Sequence, residues 1–155
     1  MTSDDLPFVS IIVVNYNGKH FLKKCFTSLE NLDYARDRFE VILVDNASTD
    51  GSVKYVKQDF PWIKVLQLDR NYGFCKPNND AAKVAKAEYV VFLNNDTVVA
   101  MEWLSELVKG VLADDKVVCC ASKILYCGRE DLIQSAGGKI TPIGGGFYRG
   151  YGDKD

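Results

Sequence analysis

Short apolar runs and amphipathic stretches alternate over the first 121 residues of the chain. Five apolar runs, most of them ending at polar turns, predict strands, and the fourth is expected to be buried on both faces like the first two. Between the runs, apolar positions recur at the spacing of one helix face. The predicted strands span residues 9–14, 39–44, 63–68, 89–93 and 117–121, and helical patterns lie near residues 21–29, 53–60, 79–87 and 103–112.

Strands that alternate with helices predict βαβ crossovers and therefore the α/β class. The expected architecture is three-layer α/β/α, with a mostly parallel twisted sheet and helices on both faces, and it occupies residues 1–122 as one domain. After Ser122 the rhythm is lost, and residues 123–155 are rich in glycine. This tail is expected to form a hairpin, a loop over the sheet or a disordered segment.

Composition and charge narrow the class of protein. The 155 residues fit one domain of ordinary size, and 19 basic against 21 acidic residues give a net charge of −2, which argues against general nucleic-acid binding. The five cysteines include no Cys-x-x-Cys pair, so they predict reduced, mostly buried thiols rather than a zinc site. Without a signal-peptide pattern or a run of about 18–20 apolar residues, the sequence predicts a cytoplasmic protein.

Polar side chains follow three of the predicted strands, at residues 15–17, 45–46 and 94–96. Ligands of open α/β sheets bind at the carboxyl ends of the strands, so these side chains predict a site. Asp45 could accept a hydrogen bond from a ribose hydroxyl or a base N–H, or it could only cap its own turn. Asp96 with Asn94 offers oxygen ligands for Mg²⁺ or Mn²⁺. The lone histidine, His20, is interpreted as a surface or half-buried residue of the first helix rather than a ligand.

Four ordered motifs together resemble a known family. They are Val-Ser-Ile-Ile-Val-Val-Asn-Tyr-Asn at 9–17, Val-Ile-Leu-Val-Asp-Asn-Ala-Ser-Thr-Asp-Gly-Ser at 41–52, Asn-Tyr-Gly-Phe at 71–74 with Asn78 and Asn79, and Phe-Leu-Asn-Asn-Asp-Thr at 92–97. Across residues 9–121 the chain is similar to the N-terminal, nucleotide-sugar-binding part of inverting family-2 glycosyltransferases with the GT-A fold, and within them to the rhamnosyltransferase-like group.

The resemblance implies a role for each matching position. It implies a metal site formed by Asp96 with Asn94, where the family's Asp-x-Asp motif stands, although this sequence has Asn at the first position. It also implies that Arg70 or Lys76 offers a cation near the base or the phosphates. The implied nucleotide-binding residues come from four strand ends and are Asn15, Tyr16, Asn17, Asp45, Gly73, Phe74, Asn79, Asn94 and Asn95.

The implied activity is transfer of a sugar from a UDP-, dTDP- or GDP-linked donor to an acceptor hydroxyl, in cell-surface polysaccharide or glycoconjugate synthesis. The implied partners are the nucleoside-diphosphate sugar and a glycan or lipid-linked acceptor, and no nucleic acid. Peripheral association with the inner face of the membrane in the full-length protein, and a homodimer, are both compatible with the resemblance. The general base lies in the family's acceptor half, so no residue here is assigned to it, and Glu130 and Asp131 are interpreted as a solvated acidic turn.

Two alternatives stay open at the level of the sequence. The chain could be a nucleotide-sugar-binding module that is catalytically incomplete, since the tail begins where an acceptor half is expected. It could also be another nucleotide-using enzyme, such as a sugar-phosphate nucleotidyltransferase. Against the latter, no Gly-rich loop of the kind that cradles a triphosphate follows the first strand, which ends in Asn-Tyr-Asn-Gly at 15–18.

Overall fold

The fold was analysed in a computed structural model, which describes residues 6–143 and 145–155. Strands and helices alternate over the first part of the chain, and short antiparallel strands follow. The strands are β1 (Val9–Asn15), β2 (Phe39–Asp45), β3 (Lys64–Gln67), β4 (Tyr89–Asn94), β5 (Ile124–Tyr126), β6 (Arg129–Ser135), β7 (Gly138–Ile140) and β8 (Gly146–Tyr148). The helices are α1 (Lys19–Glu30), α2 (Ser52–Asp59), α3 (Cys75–Val84) and α4 (Trp103–Leu112), with a 3₁₀ turn at Arg36–Arg38.

Four parallel strands form the central sheet in the order β3-β2-β1-β4. The chain moves from β1 outward to β3 and then crosses back to β4 on the other side of β1. Right-handed crossovers therefore put α1 and α2 on one face of the sheet and α3 on the other. The register pairs Asn15 with Asp45 and Val14 with Asn94, so the polar strand ends of the sequence lie side by side at one edge.

Alternate residues of the two central strands fill the two faces of the sheet. Ile12, Ile42 and Val44 pack with Ala81 of α3 in one buried cluster. On the opposite face, Phe26 of α1 meets Phe60 edge to face at 5.4 Å between ring centroids. Four side chains of α1 are fully buried, those of Leu22, Cys25, Phe26 and Leu29. Phe21, where the predicted helical pattern begins, is 41% exposed. Burial on both faces explains why β1 and β2 read as continuous apolar runs.

Two predictions about strands are wrong. Residues 117–121 form no strand, and Val118 is 89% exposed, because this stretch pairs with no neighbour that could satisfy its backbone groups. β4 is not buried on both faces either, since it lies at the edge of the sheet with Phe92 54% exposed. An apolar run thus indicates a preference for burial, but whether it becomes a strand, and whether that strand is central or at an edge, depends on which other segments pair with it.

The chain divides into two compact units, Met1–Leu104 and Ser105–Asp155. The first holds the parallel sheet, and the second holds two antiparallel pairs, β5 with β6 and β7 with β8, so the hairpin expected for the tail forms. The domain boundary at 122/123 stays a prediction. None of the helices within the described residues has the length and apolar character to span a bilayer.

The prediction of mostly buried thiols is also wrong. All five cysteines are free, and Cys25 alone is buried, whereas Cys75, Cys119, Cys120 and Cys127 are exposed. Three of the exposed thiols lie at or after position 119, beyond the last strand of the parallel sheet, so the two-sided burial of that sheet does not extend to them.

A buried carboxylate ties together the amino ends of three strands. Glu40, 8% exposed, accepts hydrogen bonds from the Ser10 hydroxyl (2.7 Å) and the Lys86 backbone N–H (2.9 Å) and pairs with the Lys64 ammonium. Burial raises the pKa of Glu40, but the hydrogen bonds from Lys64, Lys86 and Ser10 outweigh burial and lower this pKa below its ordinary value. Glu40 therefore stabilises the fold in its charged form.

Glu40→Gln is expected to lower the free energy of unfolding at pH 7 by about 1–2 kcal/mol, because the amide keeps an acceptor but loses the charge that Lys64 meets. A lowered folded-state pKa gives stability that is present above the unfolded pKa, about 4.3, and is lost as the pH falls through the folded value. The difference between wild type and variant should therefore shrink on acidification from pH 7 to below 4, measured by urea unfolding. Glu88→Gln, at an exposed carboxylate, is the matched control and should change neither the free energy of unfolding nor its dependence on pH. A difference that is constant with pH would contradict this role.

Candidate functional site

The carboxyl ends of β1, β2 and β4 are joined by one fully buried side chain, Asn15. Its amide nitrogen donates to Asp45 Oδ1 at 3.3 Å and to Ser48 Oγ at 3.1 Å, and its oxygen accepts from Asn95 Nδ2 at 2.8 Å. Asp45 is 1% exposed, and its Oδ2 accepts the Ser48 backbone N–H at 3.0 Å. Asn15 and Asp45 therefore lie beneath the surface of the site and hold its turns together.

The turns after β1 and β2 are bonded to each other. The Asn17 backbone N–H donates to Ser48 Oγ at 2.9 Å, and the Thr49 backbone N–H donates to Asn17 Oδ1 at 2.8 Å. Asn17 and Ala47 have left-handed backbones, with φ of 51° and 64°. Asparagine adopts this conformation readily, but alanine does so at a cost of about 1–2 kcal/mol. The surrounding hydrogen bonds thus hold a strained turn next to the site.

Gly18 lets the β1 turn approach β4 closely. A Cβ atom at this position would lie 2.4 Å from Asn95 Nδ2 and 2.7 Å from Asn15 Oδ1. Both distances are shorter than any non-bonded contact allows, so a larger residue would push apart the two amides that join β1 to β4. The single glycine after β1 therefore serves packing at the site rather than a glycine-rich phosphate loop.

An open cavity of about 360 Å³ lies at this edge of the sheet and is called the donor cavity below. Two exposed aromatic rings, Tyr16 (52% exposed) and Phe74 (59%), belong to its wall. Rings in such a position offer stacking surfaces for a planar ligand such as a nucleobase. The lining residues are Val14, Tyr16, Asn46, Asn71, Gly73, Phe74, Asn94, Asn95 and Asp96.

Asn46 fixes the wall of the donor cavity that carries Phe74. The side chain is 2% exposed, and its amide donates to Asn71 Oδ1 at 2.9 Å and to the Gly73 carbonyl at 2.8 Å. Its oxygen accepts the Tyr72 backbone N–H at 2.9 Å. At the far end of the loop, Asn78 Nδ2 donates to the Phe74 carbonyl at 2.9 Å. Two buried amides therefore set the path of residues 71–74.

Asp96 supplies the one carboxylate among the residues that line the donor cavity. Its side chain is exposed, as is that of Asn94, and within residues 6–143 and 145–155 no group donates a hydrogen bond to the Asp96 carboxylate. An unengaged carboxylate beside an amide oxygen fits Mg²⁺ or Mn²⁺, which takes one or two carboxylates and completes its shell with phosphates and water. The described residues contain no cluster of three or more His, Cys, Asp or Glu side chains suited to a metal, so the protein alone offers a partial shell.

Cys25 lies behind this corner of the site and is inert there. Its thiol contacts the Asn94 carbonyl at 3.9 Å. Burial, and then the negative charge of Asp96, raise the pKa of Cys25 to about 12. The group is therefore a neutral thiol at physiological pH and offers neither a thiolate ligand nor a nucleophile.

The structure separates some residues that the sequence groups together. Asn17 lines a different cavity, on the α1 side, and Asn79 is exposed on α3 and is absent from the donor cavity lining. The Arg70 guanidinium and the Lys76 ammonium both lie over the Tyr72 ring, at 4.7 and 4.6 Å from its centroid, and Lys76 also pairs with Asp80. Neither cation belongs to the lining of the donor cavity.

The sequence interpretation places Asn46 in a polar strand-end cluster and Asn71 in a motif, but it assigns no nucleotide-binding role to either of them or to Val14, and all three line the donor cavity. Asn46 follows directly after β2, at a strand end that was already identified as polar, so its position was a usable signal. Nothing in the residue types showed that Asn46 reaches the loop at 71–73, because those contacts span 25 and 27 residues of sequence.

The acidic residues at the start of β6, Glu130 and Asp131, bond to close neighbours in the sequence. Arg129 pairs with Asp131 at 2.9 Å, and Glu130 accepts the Gly128 backbone N–H at 2.9 Å. The hydrogen bond from Arg129 lowers the pKa of Asp131, and the bond from Gly128 lowers that of Glu130. Both residues are exposed carboxylates at the start of strand β6, so the acidic turn expected from the sequence is wrong. Neither residue has the raised pKa that suits a general base at neutral pH.

Solved structures with similar folds contain sugar nucleotides. Staphylococcus aureus TarS, residues 1–349, in complex with UDP-GlcNAc is 34% identical, with a TM-score of 0.60 over 64% of this chain and 29% of that one. A mannosyltransferase from Pyrobaculum calidifontis, in complex with GDP-Man and Mn²⁺, is 28% identical, with a TM-score of 0.63 over 71% of this chain and 34% of that one. The predicted GT-A class of fold is confirmed.

Among curated relatives, a poly(ribitol-phosphate) beta-glucosyltransferase of Bacillus spizizenii is 33% identical over 100 residues, which are 62% of this chain and 16% of that protein. The chain thus spans less than a fifth of this relative's length. The model of the glycosyl transferase family 2 matches residues 10–150, which is most of the chain. The family predicted from the strand-end motifs is confirmed, and the chain belongs to glycosyl transferase family 2.

Proposed function

We propose that this chain binds the nucleoside diphosphate of a sugar donor in the donor cavity and forms the donor half of a glycosyltransferase of cell-surface polysaccharide synthesis. The observation that carries the proposal is that one cavity is lined both by two exposed rings, Tyr16 and Phe74, and by the unengaged carboxylate of Asp96. A base can stack on a ring at one side while the diphosphate reaches toward Asp96. Family membership and two relatives whose structures hold UDP-GlcNAc or GDP-Man support it.

The roles of the buried residues differ from those of the lining. Tyr16, Phe74, Asn94 and Asn95 offer direct contacts to the nucleotide, since they line the donor cavity. Asn15 and Asp45 act from beneath, because the hydrogen bonds of their side chains are used within the protein. In this proposal the base or ribose contact expected of Asp45 passes instead to exposed residues of the cavity wall such as Asn71, whereas the buried Asn46 positions that wall.

Asp96 with Asn94 would hold Mg²⁺ or Mn²⁺, and such an ion would neutralise the charge of the nucleoside diphosphate as it leaves. The other residues of the cavity would contribute to the reaction by positioning the donor: the rings orient the base, and the amides orient ribose and phosphate oxygens. Transfer to an acceptor hydroxyl also needs a general base. The part of the lining that the structure describes has no carboxylate besides Asp96 to serve as one, which favours a donor-binding module as the second candidate for this chain alone.

Two measurements test the proposal. Calorimetric titration with UDP, dTDP and GDP, each with and without Mn²⁺, should give metal-dependent binding of at least one nucleotide. Release of nucleotide from the matching sugar donor, with and without acceptor glycans, then separates an active transferase from a module that binds without turnover. A folded sample that binds none of the three nucleotides in the presence of Mn²⁺ would contradict both candidates.

A further inference from the structure

A second cavity, of about 480 Å³, opens on the α1 and α2 side of the first unit. It is lined by Asn17, Lys19, His20, Lys23, Asp50 and Tyr55, and we call it the basic cavity. It shares no lining residue with the donor cavity, although Asn17 and Tyr16 are neighbours in sequence and lie on the two different linings. Whatever binds here would therefore lie beside the donor cavity, at the same end of the sheet.

The basic cavity carries an excess of positive charge. Lys19 and Lys23 are exposed, and in the part of the chain that the structure describes neither forms an ion pair with a carboxylate. Both lie near the amino end of α1, whose first turn contains no acidic residue. Helix amino ends carry partial positive charge, so these side chains add to a local field that favours an anion.

The one carboxylate of this cavity is already engaged elsewhere. Asp50 accepts hydrogen bonds from the backbone N–H groups of Lys19 (2.9 Å) and Ser52 (3.0 Å) and from the Ser52 hydroxyl. Its oxygens thus serve the first turns of α1 and α2 and not the lysine ammonium groups. The Lys19 ammonium lies 5.8 Å from the centroid of the Tyr55 ring, which also lines the basic cavity.

We propose that the basic cavity binds a phosphate group, with Lys19, Lys23 and His20 as donors. Three flexible donors around an open cavity suit a tetrahedral anion, to which lysine contributes a mobile point charge. The chemical class of ligand is a phosphate ester, of the kind that a phosphate-bearing acceptor or a phospholipid headgroup presents. The site is separate from the donor cavity and does not require that the proposed donor binding be correct.

The lone histidine of the sequence supplies a direct readout. At constant pH and constant ionic strength, inorganic phosphate should shift the imidazole resonances of His20 in a saturable way, whereas the same ionic strength of chloride should not. In a variant with Lys19→Met and Lys23→Met, the apparent affinity for phosphate should fall about tenfold or more, since two charge-assisted contacts are removed. The matched control is Lys24→Met, an exposed lysine of the same helix outside the cavity lining, which should retain the wild-type affinity.

Several results would overturn the proposal. One is a response of His20 to phosphate that equals its response to chloride, and another is an equal loss of affinity in the Lys24→Met variant, which would mean diffuse attraction only. A third is loss of the phosphate response when UDP and Mn²⁺ are added, because the phosphate would then have occupied the site of the donor's own phosphates.

If the double variant does not melt like the wild type, the Lys23→Met single variant decides the question, with an expected loss of phosphate affinity of about threefold. Titration with glycerol 3-phosphate and with vesicles of phosphatidylglycerol then distinguishes a soluble phosphate ester from a lipid headgroup as the source.

Discussion

Replacing Asp96 with asparagine is expected to abolish the effect of Mn²⁺ on nucleotide binding while the fold stays intact. Among the described residues that line the donor cavity Asp96 is the one carboxylate, so the variant removes the full negative charge that they offer to a cation. Divalent ions in phosphate chemistry depend on one or two such charges, and the expected loss of UDP affinity in the presence of Mn²⁺ is on the order of 100-fold. Because the side chain is exposed and accepts no hydrogen bond within the described residues, thermal unfolding should change little.

Three comparisons sharpen the experiment on Asp96. Titration of the variant without metal should match that of the wild type, since only the ion-assisted part of the binding is lost. Asp59→Asn makes the same change of charge at an exposed position outside the cavity lining and should retain the Mn²⁺ effect. Asn94→Ala should weaken this effect by less than Asp96→Asn, since it removes a neutral ligand. Undiminished Mn²⁺-dependent binding in the Asp96→Asn variant would show that the metal is held elsewhere.

The parallel sheet could be predicted from the sequence because its two central strands are covered on both sides. Every side chain of β2 is buried, so the run at 39–45 is apolar apart from Glu40 and the terminal Asp45. The same logic fails for β4, where a similar run lies at an exposed edge, and for 117–121, where an apolar run finds no partner strand. The hydrophobicity of a segment indicates a preference for burial, but whether the segment is buried depends on neighbours that come from distant parts of the chain.

The candidate site, like the sheet, could be predicted from the sequence only in part. Parallel strands bring their carboxyl ends to one edge, so the meeting of Asn15, Asp45 and Asn95 follows from topology alone. Which side chains face the ligand does not follow. Asn15 and Asp45 are turned inward and Asn17 lies on the far side of the β1 turn, whereas Asn46 and Asn71 line the cavity. Those orientations depend on individual dihedral angles and long-range hydrogen bonds, which the identity of a residue does not determine.

Asn46→Ala should affect both stability and nucleotide binding, because this amide joins the end of β2 to the loop that carries Phe74. The variant leaves the Gly73 carbonyl and the Tyr72 N–H without this partner. The Asn71 side-chain oxygen loses one of its two donors and keeps the Gly73 N–H at 2.8 Å. The expected loss is about 2–3 kcal/mol in the free energy of unfolding and about tenfold in UDP affinity, since a mobile loop presents its ring less often. Asn31→Ala, which removes one exposed hydrogen bond at the end of α1, should change neither beyond about 0.5 kcal/mol.

The variant Asn46→Asp separates the positioning role from mere loss of volume. At neutral pH a carboxylate would keep the bond from the Tyr72 N–H but would face two oxygens, those of Asn71 and Gly73, where the amide now donates. UDP affinity should therefore fall at least as far as in Asn46→Ala at pH 7 and recover in part near pH 5, where a protonated carboxyl can donate to one of the two oxygens. The wild type, titrated by calorimetry at both pH values, gives the reference for this recovery. If Asn46→Asp binds UDP like the wild type at pH 7, the two donated hydrogen bonds do not position the loop, and the amide serves only as an acceptor.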